Sequence, residues 1–314
     1  MRVATHASDI DGIVSAALVL MKNPNAKIDF LTLRDIPLVR DVEYDVVIDL
    51  PKTKRAKVNI DHHLSNYEKL VRNNALTERD IVDPKAPSAA SLLIKYLGLE
   101  DDKKARKLVE IANIADTGGY TKEIYILDKI IKCHTHDQSI LMKIAWILVE
   151  KGEKFLKDEW IKSEWQRIRP WIEKGRKISE EIVKKSLKMG LKFLIVDLLK
   201  GFPRLSISDL QWFFMRKGGK VIIVINRMTE SDPVCPTLVK NSTPNYVRAS
   251  IRVAPNYDFD ARRLAEKLGG GGHIKASGAR ISSDDYYRAL SIMLKELSEH
   301  GYVGYVKVNI NSDI

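Results

Sequence analysis

The chain has 314 residues, 45% of them hydrophobic, and a formal net charge of +11. This exceeds one usual domain and supplies enough apolar material for two cores. No apolar run is long enough to cross a bilayer and no charged-then-apolar leader is present, so the expectation is a cytoplasmic protein outside the membrane and secreted classes.

Met1–Thr5 reads as a short strand, Ser8–Gly12 as a turn, and Ile13–Met21 as an apolar helix packed on a sheet. Strands are expected at Lys27–Leu33, Asp45–Ile48 and Lys57–Ile60, then helices at Ser88–Leu97 and Asp101–Ile114, the latter with acidic residues in its first turn. Strands alternating with helices give an α/β class with a mainly parallel sheet covered on both faces. From Tyr125 to Leu187 the pattern is almost wholly helical, with a connector over Lys154–Lys188 kinked at Pro170. Strands return at Lys192–Asp197, Lys220–Asn226, Val247–Val253 and Tyr302–Asn309, with helices at Ser208–Met215, Asp260–Leu268 and Asp284–His300. The expected organisation is an N-terminal domain over 1–153, a helical connector over 154–190 and a smaller C-terminal α/β domain over 191–314.

The first hundred residues balance 14 Lys/Arg against 14 Asp/Glu, so the whole positive excess lies beyond them. A cationic half beside an acid-rich one suits a polyanionic substrate such as a nucleotide or oligonucleotide. The same Lys- and Glu-rich composition also fits a heat-adapted surface. Cys133 and Cys235 are the only cysteines, far apart and without a Cys-x-x-Cys pair, which argues against a disulfide framework or structural zinc site.

Ile60-Asp61-His62-His63 closes an apolar run, and buried imidazoles and carboxylates need polar partners. In a parallel sheet, ligands bind beyond the carboxyl ends of the strands. His6, Asp9, Asp49, Asp61 and His62 each follow a predicted strand, and Asp116 follows a predicted helix just before Gly118-Gly119. Carboxylates with imidazoles favour a divalent cation, tilting from magnesium toward manganese. His6, Asp9, Asp11, Asp49, His62 and Asp116 suit a pair of ions about 3.5–4 Å apart, with Asp49 bridging. Asp61 is expected to orient a histidine, and His63 to bind a phosphate oxygen or protonate a leaving group. Singly, Asp9, Asp11, Asp49 and Asp116 could be caps or turn residues; four segments explained separately is a poorer account than one site.

Gly269–Gly272 precedes His273 in the one strongly glycine-rich loop. Backbone N–H groups there can approach a phosphate closely, and Arg252, in a predicted strand among apolar neighbours, needs an anion. Cys133-His134-Thr135-His136-Asp137 has ligand residue types without closed-site spacing and reads as a loop between helices. Trp146, Trp160, Trp165 and Trp171 read as helix-packing residues rather than base-stacking platforms.

The order His-x-x-Asp-x-Asp-Gly, Ile-Asp-Leu-Pro, Asp-His-His, Ala-Asp-Thr-Gly-Gly and Gly-Gly-Gly-Gly-His-x-x-Ala-Ser-Gly resembles the DHH phosphoesterases with their associated C-terminal domain, the relatives of RecJ exonucleases and nanoRNases. Many members have one residue more between the first histidine and the first aspartate. The resemblance implies manganese ligands at His6, Asp9, Asp11, Asp49, His62 and Asp116, and substrate contacts at His63, Arg252, Gly271, Gly272 and His273. The expected function is a phosphodiesterase with two Mn2+ ions (Mg2+ the alternative), an exonuclease on short single-stranded RNA or DNA. A pAp phosphatase, a cyclic-dinucleotide phosphodiesterase and a non-catalytic nucleic-acid binding module stand as alternatives, and a homodimer is left open.

Overall fold

The structure, a computed structural model, describes residues 1–227, 232, 234, 235 and 246–310. The chain divides into two compact units, Met1–Arg167 and Ile168–Ile314.

The first unit is built on β1 (Arg2–His6), β2 (Lys27–Leu31), β3 (Tyr44–Ile48), β4 (Ala56–Asp61) and β5 (Ile81–Val82). All pairings are parallel, in the order β2-β1-β3-β4-β5. The chain leaves β1 toward β2 on one side and later reaches β3 on the other, so the sheet has its switch point between β1 and β3, where a crevice opens at the carboxyl ends. The helices of this unit are α1 (Ile10–Lys22), α2 (Leu64–Arg72), α3 (Ala89–Tyr96), α4 (Lys103–Thr117), α5 (Lys122–Cys133) and α6 (Gln138–Lys151), of which α1, α3 and α6 pack on β1, β4 and β2. Every residue of α1 from Ile10 to Leu20 is buried, as expected of a helix apolar around most of its circumference. It packs against α3, α4 and α6. A second cluster, Ala4, Leu31, Tyr44, Val47 and Leu50, is closed by Ile36, Val39 and Val42 of the loop after β2.

A 3-10 turn over Gly152–Lys157 leads into α7 (Glu159–Lys188), one helix containing Pro170. The division between the units falls inside this helix.

The second unit holds β6 (Phe193–Lys200), α8 (Ile207–Arg216), β7 (Val221–Arg227), β8 (Tyr246–Val253), α9 (Ala261–Lys267), β9 (Gly271–Gly272), β10 (Ala276–Ser282), α10 (Tyr286–Ser298) and β11 (Val303–Asn309). Its sheet runs β11-β6-β7-β8-β10-β9. The first three strands are parallel and the last three add antiparallel. One face is filled by Ile223, Ala249, Ile251, Leu264 and Met293. The other is covered over β6, β7 and β11 by Leu210, Phe214 and Val183.

Three expectations from sequence need correction. The helix expected to end at Ile114 continues to Thr117, so Asp116 lies in its last turn, ahead of a left-handed Gly118. The glycine-rich stretch is not a free loop: Gly271 and Gly272 pair with Gly278 and Ser277 of β10. Neither cysteine is a free thiol, so their separation along the chain was no guide to their state.

Candidate metal centre and phosphate-binding face

β1 ends at His6, and the chain turns at once into α1. Asp9 caps that helix, its Oδ1 accepting from Gly12 N at 3.0 Å, while Oδ2 lies 2.5 Å from His6 Nδ1. The turn is possible because residue 12 is glycine: a Cβ there would sit 2.0 Å from the carbonyl oxygen of His6. Asp11, fully buried in the first turn of α1, accepts from Ala89 N at 2.7 Å and Ala90 N at 2.9 Å. Its charge is thereby anchored on the N-terminus of α3.

Asp49 follows β3 with φ of 55°, a left-handed conformation that costs a side-chain-bearing residue about 1–2 kcal/mol and recurs at functional sites. Its carboxylate is buried between two groups of ligands. Oδ2 lies 3.5 Å from His6 Nδ1. Oδ1 lies 3.5 Å from His63 Nδ1 and 3.7 Å from His62 Nε2, yet it has no hydrogen-bond partner. His62 Nδ1 donates to the carbonyl oxygen of Ala86 at 3.3 Å, which aims Nε2 at Asp116 Oδ2 (3.2 Å) and Asp11 Oδ2 (3.8 Å). His63 Nδ1 donates to Asp61 Oδ1 at 2.8 Å. That oxygen also accepts from the backbone N–H of His62, and Oδ2 accepts from Asn66 Nδ2 at 2.6 Å.

Ligand atoms lie within 4.8 Å of one another in three overlapping sets: His6, Asp9 and Asp49; Asp49, His62 and His63; Asp11, His62 and Asp116. All six expected metal ligands, with Asp61 and His63, thus meet at one rim of the sheet. Asn59, Asn66, Ala86 and the N–H groups of Ala89 and Ala90 went unforeseen. Of these, Asn59, whose Oδ1 accepts from Asn66 Nδ2 at 2.9 Å, had a readable signal, as a polar residue inside the apolar run Val58–Ile60.

The electrostatics are those of a crowded acid cluster. Burial, and then the charges of Asp49, Asp116 and Asp9, push Asp11 well above the usual carboxylate range. Burial and Asp9 raise Asp49 to about 7. Burial opposes protonation of His62, but the Asp116 hydrogen bond and nearby acids outweigh it and carry His62 to about 9. His6 is likewise raised against burial by Asp9 and Asp49, and it holds Asp9 well below its ordinary value despite that residue's burial. Divalent cations would relieve the acid repulsion and displace these protons. The donor set of carboxylates with imidazoles, and the orphaned Asp49 Oδ1, fit such ions.

The second expected cluster lies in the other unit. Arg252, on β8, registers opposite Ala276 of β10. Its guanidinium donates to its own strand, at Ile251 O, 3.0 Å away. Gly270 and Gly272 are needed for packing: a Cβ at Gly270 would lie 2.1 Å from Gly278 O, and one at Gly272 would lie 2.7 Å from Ser277 Cα. Gly271 is different, because a Cβ there would meet nothing within 4 Å. The exposed His273 commits its backbone N–H and carbonyl to a turn with Ala276.

The other ligand-type cluster has structural partners. His134 Nε2 bonds to Glu164 Oε1 at 2.7 Å, Arg167 braces the same carboxylate, and Asp137 caps α6. Trp160 lies under Lys143, Trp165 meets Tyr125, and Trp171 Nε1 donates to Asp232.

Residues 216–299 match the model of the DHHA1 domain. That segment is similar to a DHHA1 domain. Solved structures extend the likeness across both units. A pGpG-specific phosphodiesterase, PggH from Vibrio cholerae, has 16% identity and a TM-score of 0.63, covering 96% of this chain and 99% of its own. The exonuclease RecJ bound to manganese has 12% identity and a TM-score of 0.52, covering 96% and 90%. RecJ with Mg2+ from Thermus thermophilus has 14% identity and a TM-score of 0.54, covering 98% of this chain and 51% of its own. No curated protein matches in sequence. The fold is therefore one shared with PggH and RecJ, as the resemblance read from the motifs implied. No helix among the described residues is long and apolar enough to cross a membrane.

Proposed function

We propose that the chain is a metal-dependent phosphodiesterase acting as an exonuclease on short single-stranded RNA or DNA. The observation that carries this reading is the buried Asp49 carboxylate, with one oxygen toward His6 and Asp9 and an unpartnered one toward His62 and His63. His6, Asp9, Asp11, Asp49, His62 and Asp116 would hold two divalent cations, Mn2+ with Mg2+ as the alternative. Bound there, the ions supply an activated water and neutralise charge on the phosphoryl group.

The chain's own residues do the rest. Ala86 fixes the tautomer and aim of His62, and Asp61 fixes those of His63. His63, raised above its ordinary pKa chiefly by the Asp61 hydrogen bond against the effect of burial, can carry a proton to the departing oxygen. Arg252, Gly271, Gly272 and His273 would hold a substrate phosphate, with Gly271 supplying the open approach.

A second reading, a cyclic-dinucleotide or small-nucleotide phosphoesterase such as a pAp phosphatase, uses the same centre. The full-length likeness to a pGpG phosphodiesterase favours a short linear substrate over it. Product analysis on end-labelled RNA and DNA series, beside pAp and a cyclic dinucleotide, tests both. Stepwise shortening from one end, dependent on Mn2+, is expected. Salt-sensitive binding without cleavage would instead mark a nucleic-acid binding module.

A further inference from the structure

α4 carries Asp116 in its last turn and is capped by Gly118; Gly119 and Tyr120 follow. Thr121 then caps α5, its side-chain oxygen accepting from Ile124 N at 3.3 Å. Tyr120 therefore stands on a short link between two helices of the metal centre's surroundings. One ends in an expected metal ligand, and the other packs against α1, the helix capped by Asp9. An apolar residue just ahead of a helix cap ordinarily packs on the fifth residue along, as a hydrophobic staple. Here that residue is Tyr125, whose ring meets Trp165 and Lys129, and the Tyr120 hydroxyl reaches past it to Asp128.

The two ends of this tyrosine are treated differently. Its hydroxyl is turned inward, donating at 3.3 Å to Oδ1 of Asp128, a residue only 2% exposed. Lys132, one turn further along α5, fixes that carboxylate, its Nζ lying 2.8 Å from Oδ1 and 2.9 Å from Oδ2. Tyr120 as a whole nevertheless stays 45% exposed. With the hydroxyl committed to Asp128, the ring is what remains to meet a ligand. The glycines before it carry no side chain to cover that ring, and a Cβ at Gly118 would meet nothing within 4 Å. Burial, and then the charge and hydrogen bond of Asp128, hold the phenol well above its ordinary pKa, with the charges of Asp9 and Asp116 adding to the effect. Acids from both sides of the metal centre thus act on it, and a phenol so held is a poor proton donor.

We propose that Tyr120 is a stacking platform for the nucleobase next to the scissile phosphate, held in position by the Lys132–Asp128 pair. The inference rests on the proposed phosphodiesterase activity and adds to it a contact with one base of the substrate. Every base has a π-face, so such a platform strengthens binding without reading sequence. Its grip depends on the ring, and the hydroxyl serves only to anchor that ring to α5.

The test is kcat and KM with Mn2+ on three substrates: a dinucleotide, and its analogues lacking the base of the 5′ or of the 3′ residue. The proteins compared are the wild type, Tyr120→Leu and Tyr120→Phe. Tyr120→Leu should lose about tenfold in kcat/KM on the complete dinucleotide, chiefly through KM, and less than about twofold on the one analogue that lacks the stacked base. On the other analogue the loss should again be about tenfold. Tyr120→Phe keeps the ring and should recover most of the loss. Thermal melts should show the same Mn2+-induced rise in Tm for all three proteins. Equal losses on all three substrates, or a smaller metal-induced rise, would mean that Tyr120 acts by placing Asp116. No loss on any substrate would mean that the ring touches no base, and equal losses in Tyr120→Phe and Tyr120→Leu would assign the role to the hydroxyl. Each of these results overturns the platform while leaving the phosphodiesterase reading intact. A wild type that hydrolyses none of the three substrates takes down the platform together with the proposed activity on short strands.

Discussion

Replacing Asp49 with asparagine separates the roles of that residue in metal binding and in folding. Asparagine matches its size and tolerates the left-handed backbone at φ of 55°, so the fold should survive. At an effective dielectric of about 20, two unit charges about 4 Å apart interact by about 4 kcal/mol. Loss of the carboxylate should therefore weaken apparent Mn2+ affinity by about 10²–10³-fold, each 1.4 kcal/mol being about tenfold. At a metal concentration about 100 times the wild-type Kd, the wild type gains about 2.7 kcal/mol of stability, or about 5–10 °C in Tm for a unit of this size. The variant should gain only about 1 °C, and hydrolysis should disappear. Without metal the order reverses. Burial and Asp9 raise Asp49 to about 7, so the folded state binds this proton more tightly than the unfolded chain does. Wild-type stability consequently falls as pH rises from about 4 to 7, and the metal-free variant should melt above the wild type, most clearly above pH 7. Thermal melts with and without Mn2+, beside an oligonucleotide assay, read all three effects. An Asp49→Asn protein with the full metal-induced shift and normal turnover would refute the bridging role.

The other predictions probe separate parts of the molecule. His63→Gln should lower kcat by about 10²–10³-fold while leaving the Mn2+-induced rise in Tm nearly intact, which single-turnover kinetics and melts would show. Gly271→Ala should fold normally but raise KM. Gly270→Ala, whose Cβ would lie 2.1 Å from Gly278 O, should instead lose stability by about 1–3 kcal/mol in urea unfolding; equal behaviour of the two would contradict the open approach at Gly271. Glu164 is held at about 2 because the hydrogen bonds from His134 and Arg167 outweigh burial. Its stabilising charge is complete above about pH 4.5 and lost as pH falls through 2. Denaturant titrations should show the wild type losing about 1–2 kcal/mol over that window, with Glu164→Gln flat by comparison.

How legible each part was depended on where its stabilisation comes from. β1, β3 and β4 are short apolar runs buried on both faces, so composition alone marks them, and the residue after each run falls on the crevice rim. β10 escaped because Ala-Ser-Gly-Ala-Arg-Ile-Ser contains one large apolar side chain. It is a strand through its pairing with β8 and the packing of Ala279 and Ile281. β9 is two glycines with no propensity of their own, ordered by β10 beside them. The ligand types at the metal centre were readable because only side chains carry that chemistry. Their supports, the carbonyl of Ala86 and the N–H groups of Ala89 and Ala90, are main chain, which no residue type announces.

The same distinction explains how the fold tolerates so many acids in one crevice. Asp9 is held by Gly12 N, Asp11 by two N–H groups of α3, and Asp61 by His62, His63 and Asn66. Each of these carboxylates has donors built into the local backbone or neighbouring side chains, so none is left without a hydrogen bond. Asp49 Oδ1 has none, and its backbone is the strained one. The demand for metal is therefore concentrated on a single carboxylate at the switch point of the sheet. Restoring a donor to that oxygen should stabilise the empty protein while making it a poorer metal binder.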